Sequence, residues 1–209
     1  MLAYYDPVRF NKEETYFKIL NYVKRTPGKK VMEFGGGTGQ LCLMMYFNSE
    51  KNVTYVDLPS RVMEFAKWRF RKYAANINCL EANIDSCNLG NDAYDCIVSD
   101  AVLEHVTNLE ETIKSLSASL KFEGTFYLLF DTCNNDDFPM HISANKDVEK
   151  IMRENGLIRI SDTIYIKSNR LFVRTKHFSF TISRYLTLIV PAIKHPKRAL
   201  NYVFKVSKK

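Results

Sequence analysis

The residues with the clearest chemical pattern are an acidic residue and the glycines that follow it at alternating positions: Glu33, Gly35, Gly37 and Gly39. Glycine has no Cβ, so it tolerates positive φ angles and lets a ligand approach the main chain closely. An apolar run precedes Glu33 and a helix-compatible run follows Gly39, which predicts a strand, a glycine loop and a helix. Such a loop opens at the carboxyl end of a strand, where α/β sheets bind ligands.

The spacing of these glycines excludes two common nucleotide loops. The dinucleotide fingerprint needs a third glycine five residues after Gly35, but that position holds Gln40, and Gly36 is interpreted as loop filler. The Gly-Lys-Ser/Thr of a phosphate loop is absent from the sequence. Glu33 suits a ligand with a cationic group, and Asp57, 24 residues further on, can accept both hydroxyls of a ribose. The predicted ligand therefore carries a ribose and a positive group.

Strands and helices alternate along the first two thirds of the chain, which is typical of a parallel sheet with helices on both faces. The predicted strands are Lys30–Phe34, Val53–Val56, Ile77–Leu80, Tyr94–Val98 and Thr125–Phe130. The helices that follow the strands are predicted at Gln40–Phe47, 58–75, Leu109–Leu120 and Asn145–Glu154. Ile158–Ile166 and Leu171–Lys176 are predicted to form a hairpin. The expected fold is α/β, Rossmann-like and doubly wound, with a mostly parallel sheet and a C-terminal antiparallel hairpin strand.

Four segments, in this order and at these strand ends, resemble the class I S-adenosylmethionine-dependent methyltransferase family, and in particular its small-molecule type. The segments are Glu33–Gly39, Asp57, Tyr94–Val98 and Val102–Val106. The resemblance covers roughly residues 28–176. It implies that S-adenosyl-L-methionine is the cofactor, that S-adenosyl-L-homocysteine is the product, and that the chain is an enzyme that transfers a methyl group.

The resemblance also implies how the first two strand ends hold the cofactor. Glu33 corresponds to the residue that helps to hold the cofactor's amino group. Gly35 and Gly37 correspond to the glycines that allow its close approach. Asp57 corresponds to the acid that binds the ribose, and Leu58 to the residue that covers the adenine.

The remaining cofactor residues implied by the resemblance follow the third and fourth strands. Asn83 stands where the family usually has an aspartate that contacts the adenine amine, and Ile84 follows it. An asparagine can accept that hydrogen bond through its amide oxygen, and Asp85 could replace it. Asp100 and Ala101 correspond to the segment that runs past the methionine end of the cofactor.

The methyl acceptor is expected near residues 131–142, a polar and acidic stretch that is long for a plain connection. Transfer to a hydroxyl or an ammonium benefits from a base, and histidine is the obvious type. His141 is the favoured base or acceptor-positioning residue, although it could instead cap the following helix or bind a carbonyl. His105 is a second candidate, in a stretch that often only builds a helix entry. No ligand spacing in the sequence supports a metal site.

The positive charge of the chain is concentrated at its C-terminal end. The net charge is +7, but twelve Lys/Arg and one acid from Arg159 onward give +11 there and −4 for residues 1–158. We expect an N-terminal helical lid over residues 1–27, a methyltransferase core over 28–176 and a basic and aromatic appendage over 177–209. The appendage could contact an anionic membrane or a protein, or else RNA, which is the less favoured partner.

The overall composition indicates one domain of ordinary size. Five cysteines without metal or redox spacing, and a first segment without signal-peptide features, predict a cytoplasmic protein, either free or at the membrane periphery. The favoured function is methyl transfer to oxygen or nitrogen of a small-molecule or lipid-linked acceptor. The alternatives are an RNA methyltransferase and a non-catalytic scaffold that binds the cofactor.

Overall fold

Apolar strands and amphipathic helices alternate in the computed structural model, which describes residues 12–82, 89–130, 141 and 147–168. The helices are α1 (Glu13–Arg25), α2 (Gln40–Asn48), α3 (Arg61–Lys72), a 3₁₀-helix (Leu103–His105), α4 (Leu109–Ser119) and α5 (Val148–Glu154). The strands are β1 (Lys30–Phe34), β2 (Asn52–Asp57), β3 (Asn78–Glu81), β4 (Tyr94–Asp100), β5 (Leu120–Leu129), β6 (Leu157–Arg159) and β7 (Ile164–Lys167). The described residues belong to one compact unit that ends at Ser168.

The seven described strands form one mixed sheet in the order β3-β2-β1-β4-β5-β7-β6. Strands β1 to β5 run parallel to one another, whereas β7 pairs antiparallel with both β5 and β6. The chain builds outward from β1 in both directions, so the strand order reverses between β1 and β4. In doubly wound sheets a ligand crevice opens at this switch point, beyond the carboxyl ends of the strands.

The central strands are apolar on both faces because each face of the sheet is covered by helices. Along β1, Val31 faces a core formed with α1, α2 and α3, whereas Met32 faces a second core formed with α4 and α5. Residues Tyr55 and Val56 of β2 divide between the same two cores. This burial confirms the predicted α/β fold with a mostly parallel sheet.

Side-chain caps fix where three of the helices begin. Ser60 accepts a hydrogen bond from the Met63 amide at 3.1 Å, and Asp147 accepts one from the Lys150 amide at 2.9 Å. Asn108 caps α4 in the same way. Each cap satisfies an amide that has no partner within the helix. Helix α1 has Lys12 at its N-cap and no side-chain cap.

The C-terminal edge of the sheet differs from the prediction in its boundaries. The predicted single strand Ile158–Ile166 is itself a hairpin, made of β6 and β7 and closed by hydrogen bonds such as that from the Ile160 amide to the Ile164 carbonyl at 2.9 Å. Polar residues Ser161, Asp162 and Thr163 interrupt the apolar run and form the turn. The predicted partner strand Leu171–Lys176 lies outside the described residues.

Within the described ranges, no helix combines the length and the apolar character that a bilayer span needs.

Candidate active site

The glycine loop is tied to the neighbouring strand by main-chain hydrogen bonds. The Gly35 and Gly36 amides both donate to the Val56 carbonyl of β2, at 2.8 and 3.2 Å. Gly35 and Gly39 have φ angles of +75° and +74°, which favour glycine. A Cβ at Gly35 would collide with Val102, the residue before the 3₁₀-helix. The loop is therefore held between the ends of β2 and β4.

Gly36 and Gly37 differ in what surrounds them. A Cβ at Gly36 would lie 2.5 Å from the ring of Tyr55, so this glycine is needed for packing and the interpretation as loop filler was wrong. A Cβ at Gly37 would have no heavy atom within 4 Å among the described residues. Gly37 therefore presents its main chain to open space, as expected of a glycine that a ligand approaches.

Asp57 is oriented by the glycine loop and by its own strand. Its Oδ2 accepts a hydrogen bond from the Gly37 amide at 2.6 Å, and its Oδ1 accepts one from the Leu58 amide at 2.7 Å. The Tyr55 hydroxyl donates to the Gly37 carbonyl at 2.8 Å and lies 3.2 Å from Asp57 Oδ2. A carboxylate has about four lone-pair sites, so Asp57 retains acceptor capacity for a ribose. Leu58 beside it is 46% exposed and offers an apolar surface at the same edge.

Glu33 is a buried carboxyl group at the end of β1, with 5% of its surface exposed. Burial raises its pKa to about 8, and the negative charges of Asp100 and Asp57 act in the same direction. A hydrogen bond from Cys42 opposes this rise in pKa. Its Oε2 has no hydrogen-bond partner among the described residues. A buried acid near two other acids, with an open acceptor atom, fits an ammonium group such as that of the implied cofactor.

Arg69 binds the glycine loop through hydrogen bonds, and the sequence analysis missed this contact. Its guanidinium donates from Nη1 to the Thr38 carbonyl at 2.7 Å and from Nη2 to Gln40 Oε1 at 2.5 Å. Only 6% of Arg69 is exposed. Gln40 occupies the position of the missing third glycine, so the departure from the dinucleotide fingerprint has a structural role. The spacing of residues within the loop could not predict this contact, because Arg69 lies on α3 and not on the helix that directly follows the loop.

Asp100 and Ala101 lie at the end of β4, beside the glycine loop. Asp100 forms a partly buried ion pair with Lys12, with Lys12 Nζ 2.9 Å from Asp100 Oδ2. Ala101 has a φ of +54°, an uncommon conformation for a residue with a Cβ, and its amide donates to the Leu129 carbonyl at 3.1 Å. The ion pair places Lys12, at the start of α1, beside the candidate site.

The two candidate histidines lie together. The rings of His105 and His141 have centroids 4.8 Å apart and meet edge to face at 67°. Glu104 is fully buried beside them, and one side-chain oxygen or nitrogen from each of the three residues lies within 4.8 Å of the other two. His105 is exposed and His141 is partly buried. The fold thus assembles a pair of imidazoles and a carboxyl group from residues that are 36 positions apart.

Some predicted site residues cannot be placed. Asn83 and Ile84 lie outside the described residues. The segment 131–142 is described only at His141. The other predicted site residues are at, or come after, the carboxyl ends of four strands. The three acids Glu33, Asp57 and Asp100 are at the carboxyl ends of β1, β2 and β4, and Gly35, Gly37, Leu58, Ala101, His105 and His141 come after β1, β2, β4 and β5.

A family model described as a methyltransferase domain matches residues 9–192. Among curated proteins, a malonyl-[acyl-carrier protein] O-methyltransferase from Paenibacillus sp. is 30% identical over 113 residues, which are 52% of this chain and 40% of that protein. The ubiquinone/menaquinone biosynthesis C-methyltransferase UbiE from Haemophilus ducreyi is 27% identical over 106 residues, covering 49% and 41%. The chain spans less than half of the length of these two relatives.

Another malonyl-[acyl-carrier protein] O-methyltransferase, from Calditerrivibrio nitroreducens, is 27% identical over 194 residues, covering 90% of this chain and 71% of that protein. Among solved structures, the YcgJ protein from Bacillus subtilis has a TM-score of 0.60 at 16% identity, covering 69% and 68% of the two chains. Geranyl diphosphate methyltransferase in complex with S-adenosylmethionine also has a TM-score of 0.60, at 15% identity, covering 71% and 66%. These structures establish the similarity of fold.

The open space at Gly37 generates a prediction on ligand binding. We expect Gly37→Ala to weaken S-adenosylmethionine binding by about tenfold or more, because the added methyl group intrudes where a ligand approaches. Gly90→Ala is the matched control, since Gly90 also has a positive φ, +73°, but lies outside the loop. Both variants should lose about 1–2 kcal/mol of unfolding free energy from backbone strain. Calorimetric titration is the measurement, and equal affinity in both variants would contradict the assignment of Gly37.

The raised pKa of Glu33 generates a prediction on stability. Because its folded-state pKa of about 8 exceeds the ordinary 4.5, the carboxyl group destabilises the fold increasingly as pH rises from 4.5 to 8. We expect Glu33→Gln to raise the Tm of the cofactor-free protein at pH 9, with little effect near pH 5. The same variant should bind S-adenosylmethionine about 10- to 100-fold more weakly, because it loses a charged hydrogen bond.

Thermal unfolding between pH 5 and 9 checks this expectation, with Glu110→Gln as the control, since Glu110 is exposed on α4. If the Tm difference between Glu33→Gln and the wild type did not change with pH, the pKa of Glu33 would not be raised.

Proposed function

The chain belongs to the class I S-adenosylmethionine-dependent methyltransferases, and we propose that it transfers the methyl group to an oxygen or nitrogen atom of a small-molecule or lipid-linked acceptor. Its cofactor is S-adenosyl-L-methionine. The observation that carries the proposal is the proximity of His105 and His141, with ring centroids 4.8 Å apart, in a chain whose glycine loop retains Glu33 and Asp57.

In this proposal the cofactor lies across the ends of β1, β2 and β4. Glu33 accepts a hydrogen bond from the cofactor's ammonium group, which supplies the cation that the buried carboxyl group needs. Asp57 accepts hydrogen bonds from the ribose hydroxyls, and Gly37 allows the close approach of the ligand to the main chain. Asp100 and Ala101 border the methionine end, and Leu58 borders the adenine. The preorganised hydrogen bonds of Asp57 and the fixed loop support these assignments.

The methyl transfer is an in-line displacement at carbon. The bond from the methyl carbon to the acceptor atom forms as the bond to the sulfonium sulfur breaks, and the leaving thioether is neutral. A general acid is therefore unnecessary, and the chain has mainly to align the three atoms and exclude water. The proton of a hydroxyl or ammonium acceptor has to be removed, and His141 is the candidate base for it, with His105 beside it.

The activities for which the relatives are named do not define the acceptor atom of this chain. They include transfer to oxygen, in the malonyl-[acyl-carrier protein] O-methyltransferases, and to carbon, in UbiE. The two neighbouring imidazoles favour oxygen or nitrogen for this chain, since an imidazole removes the proton of a hydroxyl or ammonium far more readily than that of a C–H group.

The proposed role of His141 is tested by its removal. We expect His141→Ala to lower turnover by about 10²-fold or more, because the acceptor proton loses its base, while S-adenosylmethionine binding persists. Radiolabelled methyl transfer to an identified acceptor measures the first effect, and calorimetry measures the second. Unchanged turnover of this variant would exclude the role of base.

The same calorimetry addresses a scaffold that binds no cofactor, whereas a scaffold that binds the cofactor without catalysis is tested by the methyl-transfer assay. A scaffold that has lost its site would bind neither S-adenosylmethionine nor its demethylated product. The retained set of Glu33, Gly35, Gly37 and Asp57 argues against that loss.

We also propose the domain organisation expected from the sequence: a lid over residues 1–27, a core over 28–176 and a basic appendage over 177–209. The ion pair between Lys12 and Asp100 supports a contact between the N-terminal part and the site. The charge of +11 from Arg159 onward favours an anionic partner for the C-terminal part. A lipid surface would give access to a lipid-linked acceptor and a membrane-peripheral location in the cytoplasm. RNA is the second candidate partner.

The membrane contact is tested by flotation with vesicles. We expect the full chain to float with vesicles that contain phosphatidylserine but not with neutral vesicles, because the attraction is electrostatic. Removal of residues 177–209 should abolish flotation. Equal partitioning of the two proteins would end the membrane proposal, and a gel shift of RNA by the full chain alone would favour an RNA partner instead.

A further inference from the structure

We propose that Glu104, His105 and His141 bind one divalent transition-metal ion beside the methyl acceptor. This inference rests on the proposed function, since it specifies how these residues act on the acceptor. Its starting point is geometric: one side-chain ligand atom from each residue lies within 4.8 Å of the other two. The two imidazole rings meet edge to face instead of stacking, so their nitrogens are not forced to opposite sides.

The separations leave room for an ion after small side-chain rotations. At the centre of a triangle with sides of 4.8 Å, an ion would be about 2.8 Å from each ligand atom, whereas bonds to nitrogen and oxygen are about 2.1 Å long. Each atom would therefore move inward by about 0.7 Å, which rotations about the side-chain bonds of histidine and glutamate can supply.

The ligand types define the class of ion. Two imidazoles and one carboxylate occur around catalytic zinc and around non-haem iron(II), and they leave coordination positions open for water or substrate. The oxygen-rich sites preferred by Mg²⁺ and Ca²⁺ lack this nitrogen content. The three residues therefore favour Zn²⁺, Fe²⁺ or Co²⁺.

The burial of the three residues forms a gradient that suits a metal site. Glu104 is 0% exposed, His141 is partly buried and His105 is exposed. Buried carboxylates in proteins are generally paired with a cation or coordinate a metal. The exposed side at His105 provides a route by which an ion enters from solvent.

The backbone that carries two of the ligands is fixed. Glu104 and His105 belong to the 3₁₀-helix after β4, in which the His105 amide donates to the Val102 carbonyl at 2.9 Å. Val102 in turn contacts the position where a Cβ of Gly35 would lie. The proposed ion is thus placed next to the cofactor loop, on the side of the residues expected to meet the acceptor.

A bound ion changes the task proposed for His141. An acceptor hydroxyl that occupies an open coordination position becomes more acidic, as water does on zinc, and loses its proton to solvent. Its oxygen then forms the bond to the methyl carbon as the carbon–sulfur bond breaks. His141 acts through the ion in this case, and the favoured acceptor atom is oxygen. Loss of His141 lowers turnover with or without an ion, so only a measurement of metal binding separates the two roles.

Metal binding by the full chain is measured with Co²⁺ as the probe, without cofactor or acceptor. We expect the metal-stripped wild type to bind one equivalent, with visible d–d absorption from bound nitrogen ligands. His105→Ala and His141→Ala should each weaken Co²⁺ binding by at least about 100-fold, since even outer-shell changes cost 10–100-fold. Glu104→Gln should weaken it in the same direction.

Two controls keep the result interpretable. Glu110→Gln, on the exposed side of α4, should bind Co²⁺ like the wild type. Retained S-adenosylmethionine binding by the two histidine variants shows that they are folded. Absence of a saturable one-to-one Co²⁺ complex, or one that both histidine variants retain, would overturn the metal site. That outcome would leave the methyltransferase proposal intact, because methyl transfer with His141 as a direct base does not need the ion.

Discussion

The burial of an acidic group at the end of the first strand is the constraint on which the rest of the site depends. Glu33 lies in the apolar centre of the sheet, near Asp57 and Asp100, and its surroundings favour the neutral form. In isolation such a group would destabilise the fold, because a buried carboxylate needs a cation. In the proposed binding mode the positive ammonium group of the cofactor relieves this cost, so cofactor binding would be coupled to the stability of the fold through Glu33.

Hydrogen bonds to neighbouring elements fix the conformation of the glycine loop beside this acidic site. Arg69 binds the loop at the Thr38 carbonyl, and Tyr55 binds it at the Gly37 carbonyl. Asp57 holds the amide of Gly37, so its carboxylate is already oriented. Each of these bonds joins the loop to a neighbouring strand or helix, and together they preorganise it before a ligand arrives. The loop can therefore present open space at Gly37 without filling it with its own atoms.

A structural feature could be predicted from the sequence when the residues that determine it are close together in the chain. The parallel core was predicted because each strand and helix carries its own apolar pattern. Glu33 and Gly37 became site candidates because one short motif contains them, and Asp57 because it ends the next strand. Gly36 was misjudged and the contact of Arg69 was missed because their partners, Tyr55 and the loop, are distant in sequence. The hairpin of β6 and β7 was merged into one strand because only three polar residues, Ser161, Asp162 and Thr163, mark the turn.

The acceptor side of the site shows the same limit in a stronger form. Glu104 and His105 follow β4, whereas His141 follows β5, and β4 and β5 are adjacent and parallel in the sheet. Parallel neighbours bring their carboxyl ends to one edge, so residues separated by a whole helix and strand meet there. In the sequence the two histidines are far apart, whereas the sheet topology brings them together beside a buried carboxyl group. The glycine loop is thus encoded by one continuous motif, whereas the acceptor side is encoded by strand order. Proteins that share this sheet can therefore keep one methyl donor while the chemistry at the acceptor changes with the residues placed after β4 and β5.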